Sequence, residues 1–157
     1  MGSRNADYLC QILASRGELL KQLEGLPEAS AGTRPEPNEW SVEEILQHEA
    51  DVDVMYSRRI RDMLAGIPDM VVIDQATYEP ARQEAKKDGL AGILRRAYAA
   101  RVAVLELVSE LTEEDMAKSA RHPVRGPMTV RQAVEGIVRH DRDHAQQIAK
   151  TRAAVES

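Results

Sequence analysis

Aromatic residues are scarce in this chain of 157 residues, which contains no Phe, one Trp and four Tyr. Strands favour aromatic and β-branched side chains, so this composition favours packed helices over a β-sandwich. The core is expected to consist of Leu, Ile, Val, Ala and Met. Hydrophobic residues make up 43% of the chain and charged residues 30%, a balance typical of a globular protein and not of a disordered one.

Three further absences argue against whole classes of protein. The single cysteine, Cys10, rules out an internal disulfide, fits a reducing compartment and is expected to be a small packed residue. There is neither an apolar run of the roughly 20 residues that a membrane span needs nor the long apolar segment of a secretory signal, so a cytoplasmic location is expected. The net charge is −5. Nucleic-acid binding by counterion release needs a basic face, so nucleic acid is not an expected partner. Because the chain has no apolar run long enough to span a membrane, a membrane is not an expected partner either.

Four segments show the 3.6-residue hydrophobic period of an amphipathic helix. They cover about residues 7–23, 42–66, 89–111 and 130–153. Capping boxes at Ser41 with Glu44 and at Thr129 with Gln132 predict the starts of the second and fourth helices, and Asp88 is the expected cap of the third. On the first helix, the predicted apolar side includes Ile12, Leu13, Leu19 and Leu20.

The connection between the second and third helices determines the predicted topology. It has about 20 residues, whereas helix connections in bundles have typically about 2–8. At about 3.3 Å per residue it could traverse a helix of about 33 Å, so the third helix is expected to run parallel to the second. The prediction is a single all-α domain (residues 1–157): a four-helix bundle, up-down-down-up, with this long crossover. The next connection is expected to contain a short helical turn beginning at Thr112.

The sequence VRHDRDHAQQ, residues 138–147, places two histidines on the fourth helix. His140 and His144 continue the apolar stripe of that helix and should therefore point inward. An unsatisfied buried polar group costs about 1–3 kcal/mol, so the two imidazoles need partners. Either they share a metal ion, which their i,i+4 spacing allows, or they form hydrogen bonds to neighbours that include Asp141 and Asp143.

A third ligand would decide between these alternatives. The protease motif HExxH requires Glu where Asp141 stands, and a di-iron site requires a second Glu-x-x-His that the chain lacks. The remaining histidines are His48 and His122. His48 lies about 10 Å from the start of its helix and His144 about 13 Å from the end of the fourth, so the two levels coincide if these helices are antiparallel. His122, in a loop with Pro and Gly, is expected to be exposed.

Acidic residues follow His48 on the second helix. Glu49 lies nearer than His48 to the middle of the apolar stripe. Glu49, Asp51 and Asp53 are therefore candidates for partners of the ligands or for a proton-transfer base. For Asp51 a solvated acidic surface is an equally good explanation.

Two stretches, EWSVEEILQHEADVDVMYSRRIRDMLAG and GPMTVRQAVEGIVRHDRDHAQQI, resemble the DinB superfamily of metal-dependent enzymes. The resemblance implies an up-down-down-up bundle that binds one divalent ion, nickel, zinc or another, through His48, His140 and His144. It also implies homodimers, and activities that include transferases and isomerases using low-molecular-weight thiols. The chain departs from the family at Glu49, where an apolar residue is common.

Three histidines leave a coordination position of a tetrahedral ion free, as in catalytic sites. The first functional hypothesis is thus a metal-dependent enzyme, a thiol S-transferase or a hydrolase acting on a small molecule, with a thiol or water activated at the ion. Glu49 and Asp53 are the candidate catalytic side chains. The alternative is a non-catalytic, stress-related metal-binding bundle that acts as a dimer.

Overall fold

The computed structural model describes residues 3–72 and 74–157. Its elements in chain order are α1 (Ser3–Lys21), α2 (Glu28–Ala31), α3 (Val42–Leu64), α4 (Gln75–Lys86), α5 (Gly89–Glu110), α6 (Glu113–Ala117), β1 (Ser119–His122), β2 (Gly126–Thr129) and α7 (Val130–Glu156). The four long helices α1, α3, α5 and α7 form a four-helix bundle, as predicted. Within the described residues no helix is both long and apolar enough to cross a membrane.

The helix ends follow from local sequence. Both predicted capping boxes are present: the Ser41 and Thr129 hydroxyls accept hydrogen bonds from the backbone N–H groups three residues later. Beyond α3, Gly66 adopts a φ of +79°, which an L side chain would rarely allow. Asp88 precedes α5 as predicted, but its side chain makes no capping bond and instead pairs with Arg95.

Side-chain contacts between the helices define their directions. Along α1 and α7 the paired positions increase together: Tyr8 with Arg131, Ser15 with Asp141, and Gln22 with Arg152. Along α3 and α5 they also increase together: Gln47 with Arg96, and Asp53 with Arg101. Between α3 and α7 the paired positions change in opposite senses, since His48 lies beside His144 and Tyr56 lies beside Gly136, so these two helices are antiparallel. The up-down-down-up topology with a long crossover is therefore confirmed.

The apolar core has two halves. One half lies toward the hairpin β1–β2 and includes Ile12, Ile60, Val104, Val134 and Ile137. The other lies toward the start of α3 and includes Leu19, Ile45, Ile93 and Ile148. Charged side chains from all four long helices are buried at the level between the halves, which is also the level of the histidines.

Besides the short helix α2, two features of the fold were not predicted. The crossover contains α4, whose composition is polar, which has Pro80 inside it and which buries no residue completely. It is fastened to α3 by an ion pair between Arg82 and Asp51. The second element is the antiparallel hairpin of β1 and β2, whose four-residue strands are too short for a clear alternation. The turn at Thr112 is confirmed as the start of α6.

The prediction for the buried side of α1 was partly wrong. Ile12 and Leu19 are fully buried, but Leu13 is 56% exposed and Leu20 44% exposed. Each lies one position, about 100° around the helix, beyond a buried residue. Cys10, expected to be packed, is also exposed.

Candidate metal centre

His48, His140 and His144 come together between α3 and α7. The Nε2 atom of His140 lies 3.1 Å from Nε2 of His48 and 3.0 Å from Nε2 of His144. One nitrogen from each of the three rings lies within 4.8 Å of the others. The three side chains are partly buried, so the cluster lies at the wall of the bundle and is not sealed in its core.

These separations fit a shared ion. Two nitrogens bound tetrahedrally to one cation at 2.0–2.1 Å lie roughly 3.3 Å apart. Neutral imidazoles that point their lone pairs at one another repel, and a cation between them removes that repulsion. Imidazole nitrogens suit several divalent ions, among them zinc, copper, iron and nickel. The three residues could therefore hold a divalent metal ion.

A different neighbour holds each ring in place. Glu49 Oε1 lies 3.0 Å from His140 Nδ1, the nitrogen on the far side of the ring from the cluster. His144 Nδ1 lies 2.6 Å from Gln147 Oε1. The hydrogen bond at His144 is of the kind that orients metal-binding histidines and selects the tautomer with a free Nε2, whereas the contact at His140 is close but lacks hydrogen-bond geometry. His48 Nδ1 is buried and has no hydrogen-bond partner among the described residues, and packing against Trp40, 5.0 Å between ring centres, positions this ring instead.

The electrostatic surroundings keep two of the rings neutral. Burial, reinforced by the neighbouring histidines, lowers the pKa of His48 to about 3. Burial and His140 also lower the pKa of His144. A metal ion binds the neutral form of imidazole, so these rings need not release a proton at neutral pH before they bind one.

A buried ionic cluster supports the centre from beneath. It consists of Arg16 on α1, Glu49 and Asp53 on α3, Arg101 on α5 and Asp141 on α7. Asp141 Oδ2 accepts hydrogen bonds from Ser15 Oγ at 2.7 Å and from Arg101 Nη1 at 2.7 Å, and its Oδ1 accepts one from Arg16 Nη2 at 3.1 Å. Arg101 Nε donates to Asp53 at 2.8 Å, and Arg16 Nη2 donates to Glu49 at 3.1 Å.

The carboxylates of this cluster outnumber its guanidinium groups by three to two. Burial acts to raise the pKa of Asp141, but Arg16 and Arg101 outweigh it and lower that pKa to about 2. Burial raises the pKa of Glu49, the carboxyl group that contacts His140. When all five groups are ionised the cluster carries one excess negative charge, which a cation held by the histidines would balance.

The other predicted candidates have different surroundings. Asp51 is fully buried and pairs with Arg82 and Arg96, so it does not belong to a solvated acidic surface. His122 ends β1, is half-buried, and its Nδ1 accepts hydrogen bonds from the backbone of Val124 and Arg125. It is not part of the histidine cluster.

An open cavity of about 690 Å³ adjoins the centre. His144 is part of its wall, together with Trp40, Gln147, Lys150 and Thr151. The volume lies within the range of about 300–1,000 Å³ that is usual for small-molecule sites. A ligand in this cavity would therefore contact one of the three histidines directly.

The position of Trp40 leads to a first prediction. Trp40→Ala is expected to weaken binding of Zn²⁺ about tenfold, because His48 then loses the packing that holds its ring, whereas Trp40→Phe should change the affinity by less than about twofold. Competition with a chromogenic chelator measures both affinities, and melting temperatures show whether the fold persists. Equal affinities for the wild type and a folded Trp40→Ala variant would show that Trp40 does not position His48.

Comparisons with known proteins agree with this arrangement. The chain is 24% identical over 155 residues to the uncharacterised protein YuaE of Bacillus subtilis (strain 168), covering 90% of this chain and 95% of YuaE. The structure resembles that of YfiT from Bacillus subtilis, described as a probable metal-dependent hydrolase with an unusual four-helix bundle topology. The match between the two structures has a TM-score of 0.70 at 18% sequence identity, and it covers 96% of this chain and 88% of YfiT.

A second solved structure, that of the four-helix bundle protein TT2238, matches with a TM-score of 0.68 at 20% identity, over 93% of this chain and 98% of TT2238. At these identities the structural matches support the fold alone. The family itself is shown by sequence, because a model of the DinB superfamily matches residues 11–148 and so includes all three clustered histidines. The chain therefore belongs to the DinB superfamily.

Proposed function

We propose that this protein is a metal-dependent enzyme in which His48, His140 and His144 hold one divalent ion, zinc or nickel, and that it acts on a small molecule by hydrolysis or by thiol transfer. The observation that carries the proposal is that the three Nε2 atoms converge beside a cavity of about 690 Å³ of which His144 forms part of the wall. A purely structural metal site is closed by four protein ligands. Among the described residues the group able to hold a metal contains only three.

The ion would supply Lewis acidity and would lower the pKa of a coordinated water or thiol toward neutrality. The chain's own residues would do the rest. Gln147 and Glu49 would fix the orientation of His144 and His140, and the lowered pKa of His48 would keep that ligand neutral. Trp40 would offer an apolar surface at the mouth of the cavity.

The surroundings of the two acidic candidates support positioning roles. Asp53 is only 1% exposed and is bound by Arg101 and Arg16, which leaves it little freedom to accept a proton from a substrate. Glu49 Oε1 lies 3.0 Å from Nδ1 of His140, on the side away from the cluster, and 4.0 Å from Nε2 of His144. A proton-transfer role for either residue stays a prediction.

Two reactions fit this site. Hydrolysis is supported by the resemblance to YfiT, which is described as a probable metal-dependent hydrolase. Thiol transfer is supported by the activities that the sequence resemblance implies, with a low-molecular-weight thiol as cosubstrate and a homodimer as the expected assembly. Both reactions need an exogenous molecule to reach the ion.

Access to the ion can be tested without knowing the substrate. Protein loaded with Co²⁺ is expected to develop a sulfur-to-cobalt charge-transfer band when 2-mercaptoethanol is added, because a thiol can enter the free coordination position. The same samples are then tested for metal-dependent cleavage of activated esters and for transfer of the thiol to an activated aryl chloride. The His144→Ala variant is the control for both measurements.

Two outcomes would contradict the proposal. If the cobalt spectrum does not respond to the thiol, the coordination is closed. If, in addition, removal of the metal lowers only the melting temperature and no turnover depends on metal, the non-catalytic metal-binding bundle becomes the better explanation.

A further inference from the structure

A second group of charged residues lies in the molecule away from the histidines. Most arginines whose side chains the structure describes lie within 4 Å of a carboxylate. In the described part of the chain four have no such partner: Arg59, Arg61, Arg125 and Arg139. Three of these four, all except Arg61, act electrostatically on Tyr56 and lower the pKa of its hydroxyl, whereas burial and, more weakly, Asp53 raise that pKa. They come from different elements, since Arg59 is on α3, Arg125 in the hairpin turn and Arg139 on α7.

Local geometry brings α3 and α7 together at Tyr56. A Cβ atom placed on Gly136 of α7 would lie 2.8 Å from the Tyr56 hydroxyl and 3.8 Å from Nη2 of Arg139. The hydroxyl and the guanidinium group therefore border the same point on α7. Arg59 follows Tyr56 by three residues and lies on the adjacent turn of α3.

The hairpin is held against this place by backbone hydrogen bonds. Arg121 on β1 donates its N–H to Pro68 O at 2.7 Å, and its carbonyl accepts a bond from Met70 N at 3.0 Å. Val71 follows Met70 in the chain, and its carbonyl accepts two hydrogen bonds from the Arg59 side chain, at 3.0 and 2.8 Å. This chain of contacts explains why Arg59 and Arg125 act on the same neighbour: after burial, they are the groups that lower the pKa of His122.

Arg59 is the least expected member of the group, because it is only 6% exposed. A buried cation is costly unless an anion lies beside it. The other two deeply buried arginines, Arg16 and Arg101, satisfy this rule through Asp53 and Asp141. Both hydrogen bonds that Arg59 makes go to one neutral carbonyl, and Arg125 and Arg139 add positive charge in a protein whose net charge is −5.

We propose that Arg59, Arg125 and Arg139, together with the Tyr56 hydroxyl, form a binding site for a phosphate group, either free or as an ester. The planar guanidinium group donates pairs of hydrogen bonds to the oxygens of such an anion. The negative charge of the phosphate group also offsets the positive charge of the three arginines. Tyr56 follows His48 by eight residues, about 12 Å along α3, so the anion site and the histidine centre are separate places along that helix.

Titration calorimetry of the full-length protein with inorganic phosphate and with phenyl phosphate tests the proposal, in chloride buffer at constant ionic strength. Binding with a millimolar or tighter Kd is expected. Arg125→Gln and Arg139→Gln are expected to weaken it at least about fivefold each, because each removes charge-assisted hydrogen bonds. Both side chains are exposed, so the variants should fold.

Arg61→Gln is the matched control, since Arg61 is also exposed and lacks an acidic partner among the described residues but does not act on Tyr56. It should bind phosphate as the wild type does. Tighter binding of phenyl phosphate would assign the site to an ester, and tighter binding of inorganic phosphate to the free ion. The proposal is wrong if the wild type shows no binding, or if Arg125→Gln and Arg139→Gln bind as tightly as the wild type, which would place the anion elsewhere, for example at a metal.

Discussion

Replacing Asp141 by alanine is expected to lower the free energy of unfolding by about 3–5 kcal/mol, the cost typical of breaking a buried ion pair from one side. Asp141 is fully buried, and its two oxygens accept hydrogen bonds from Ser15, Arg16 and Arg101. Without it, two guanidinium groups share the carboxylates of Glu49 and Asp53 and lose their strongest common partner.

Urea denaturation in the presence of a chelator measures this loss without a contribution from bound metal. Asp143→Ala is the matched control, because Asp143 lies on the same helix but is exposed, and its replacement should change stability by less than about 0.5 kcal/mol. A loss below about 1 kcal/mol for Asp141→Ala would mean that water reaches the two arginines and that the cluster is not dry.

The second large effect is expected at His140. His140→Ala should weaken zinc binding by roughly two to three orders of magnitude. The variant loses one of the three ligands and with it a corresponding part of the binding free energy. His140 is the central ligand, because its Nε2 is the atom close to both of the other Nε2 atoms. Elemental analysis of the wild type should give one metal ion per chain, and chelator competition gives the affinities.

His122→Ala is the control for this experiment, since His122 lies in the hairpin outside the cluster and should leave zinc binding unchanged. His48→Ala and His144→Ala should each lose metal as His140→Ala does. Retention of one tightly bound ion by a folded His140→Ala variant would contradict the three-histidine centre.

The bundle and the meeting of the histidines could be predicted because both depend on long-range regularities of the sequence. Helix period and capping boxes locate α3 and α7, and the length of the crossover sets their relative direction. Once the direction is known, helix rise and the predicted helix ends place His48 and His144 within about 3 Å of one level, although α7 extends to Glu156, three residues beyond its predicted end. The observed proximity of the three rings is the outcome of that geometry.

The ionic cluster beneath the histidines was missed, although the sequence contained a signal for it. Arg16 follows Ile12 by four residues on α1, and Arg101 lies between Ala97 and Val104 on α5, so both arginines occupy positions of an apolar stripe. A charged residue in such a position predicts a buried partner of opposite charge. Asp141, considered at first as a hydrogen-bond neighbour of the histidines and as a poor match to a protease motif, is that partner for both.

The places where prediction failed have a common physical origin. Which side of α1 or α4 is exposed depends on which neighbouring elements pack against the helix. A single sequence does not contain that information. Leu13 and Leu20 are apolar like core residues, but the adjacent residues Ile12 and Leu19 are the ones that the bundle buries. Likewise, α4 is held in place by ion pairs such as that between Arg82 and Asp51 and not by a buried apolar stripe.

The charged layer between the two halves of the core also sets the axial register of the bundle. Leucine and isoleucine side chains tolerate small sliding movements, because one apolar contact can replace another. Hydrogen bonds from guanidinium groups to carboxylates do not tolerate such movements. A slip of α5 by a single turn, about 5.4 Å, would separate Arg101 from both Asp53 and Asp141. The axial position at which the three imidazoles meet is thus fixed by the salt-bridged layer that lies beside them at the same level.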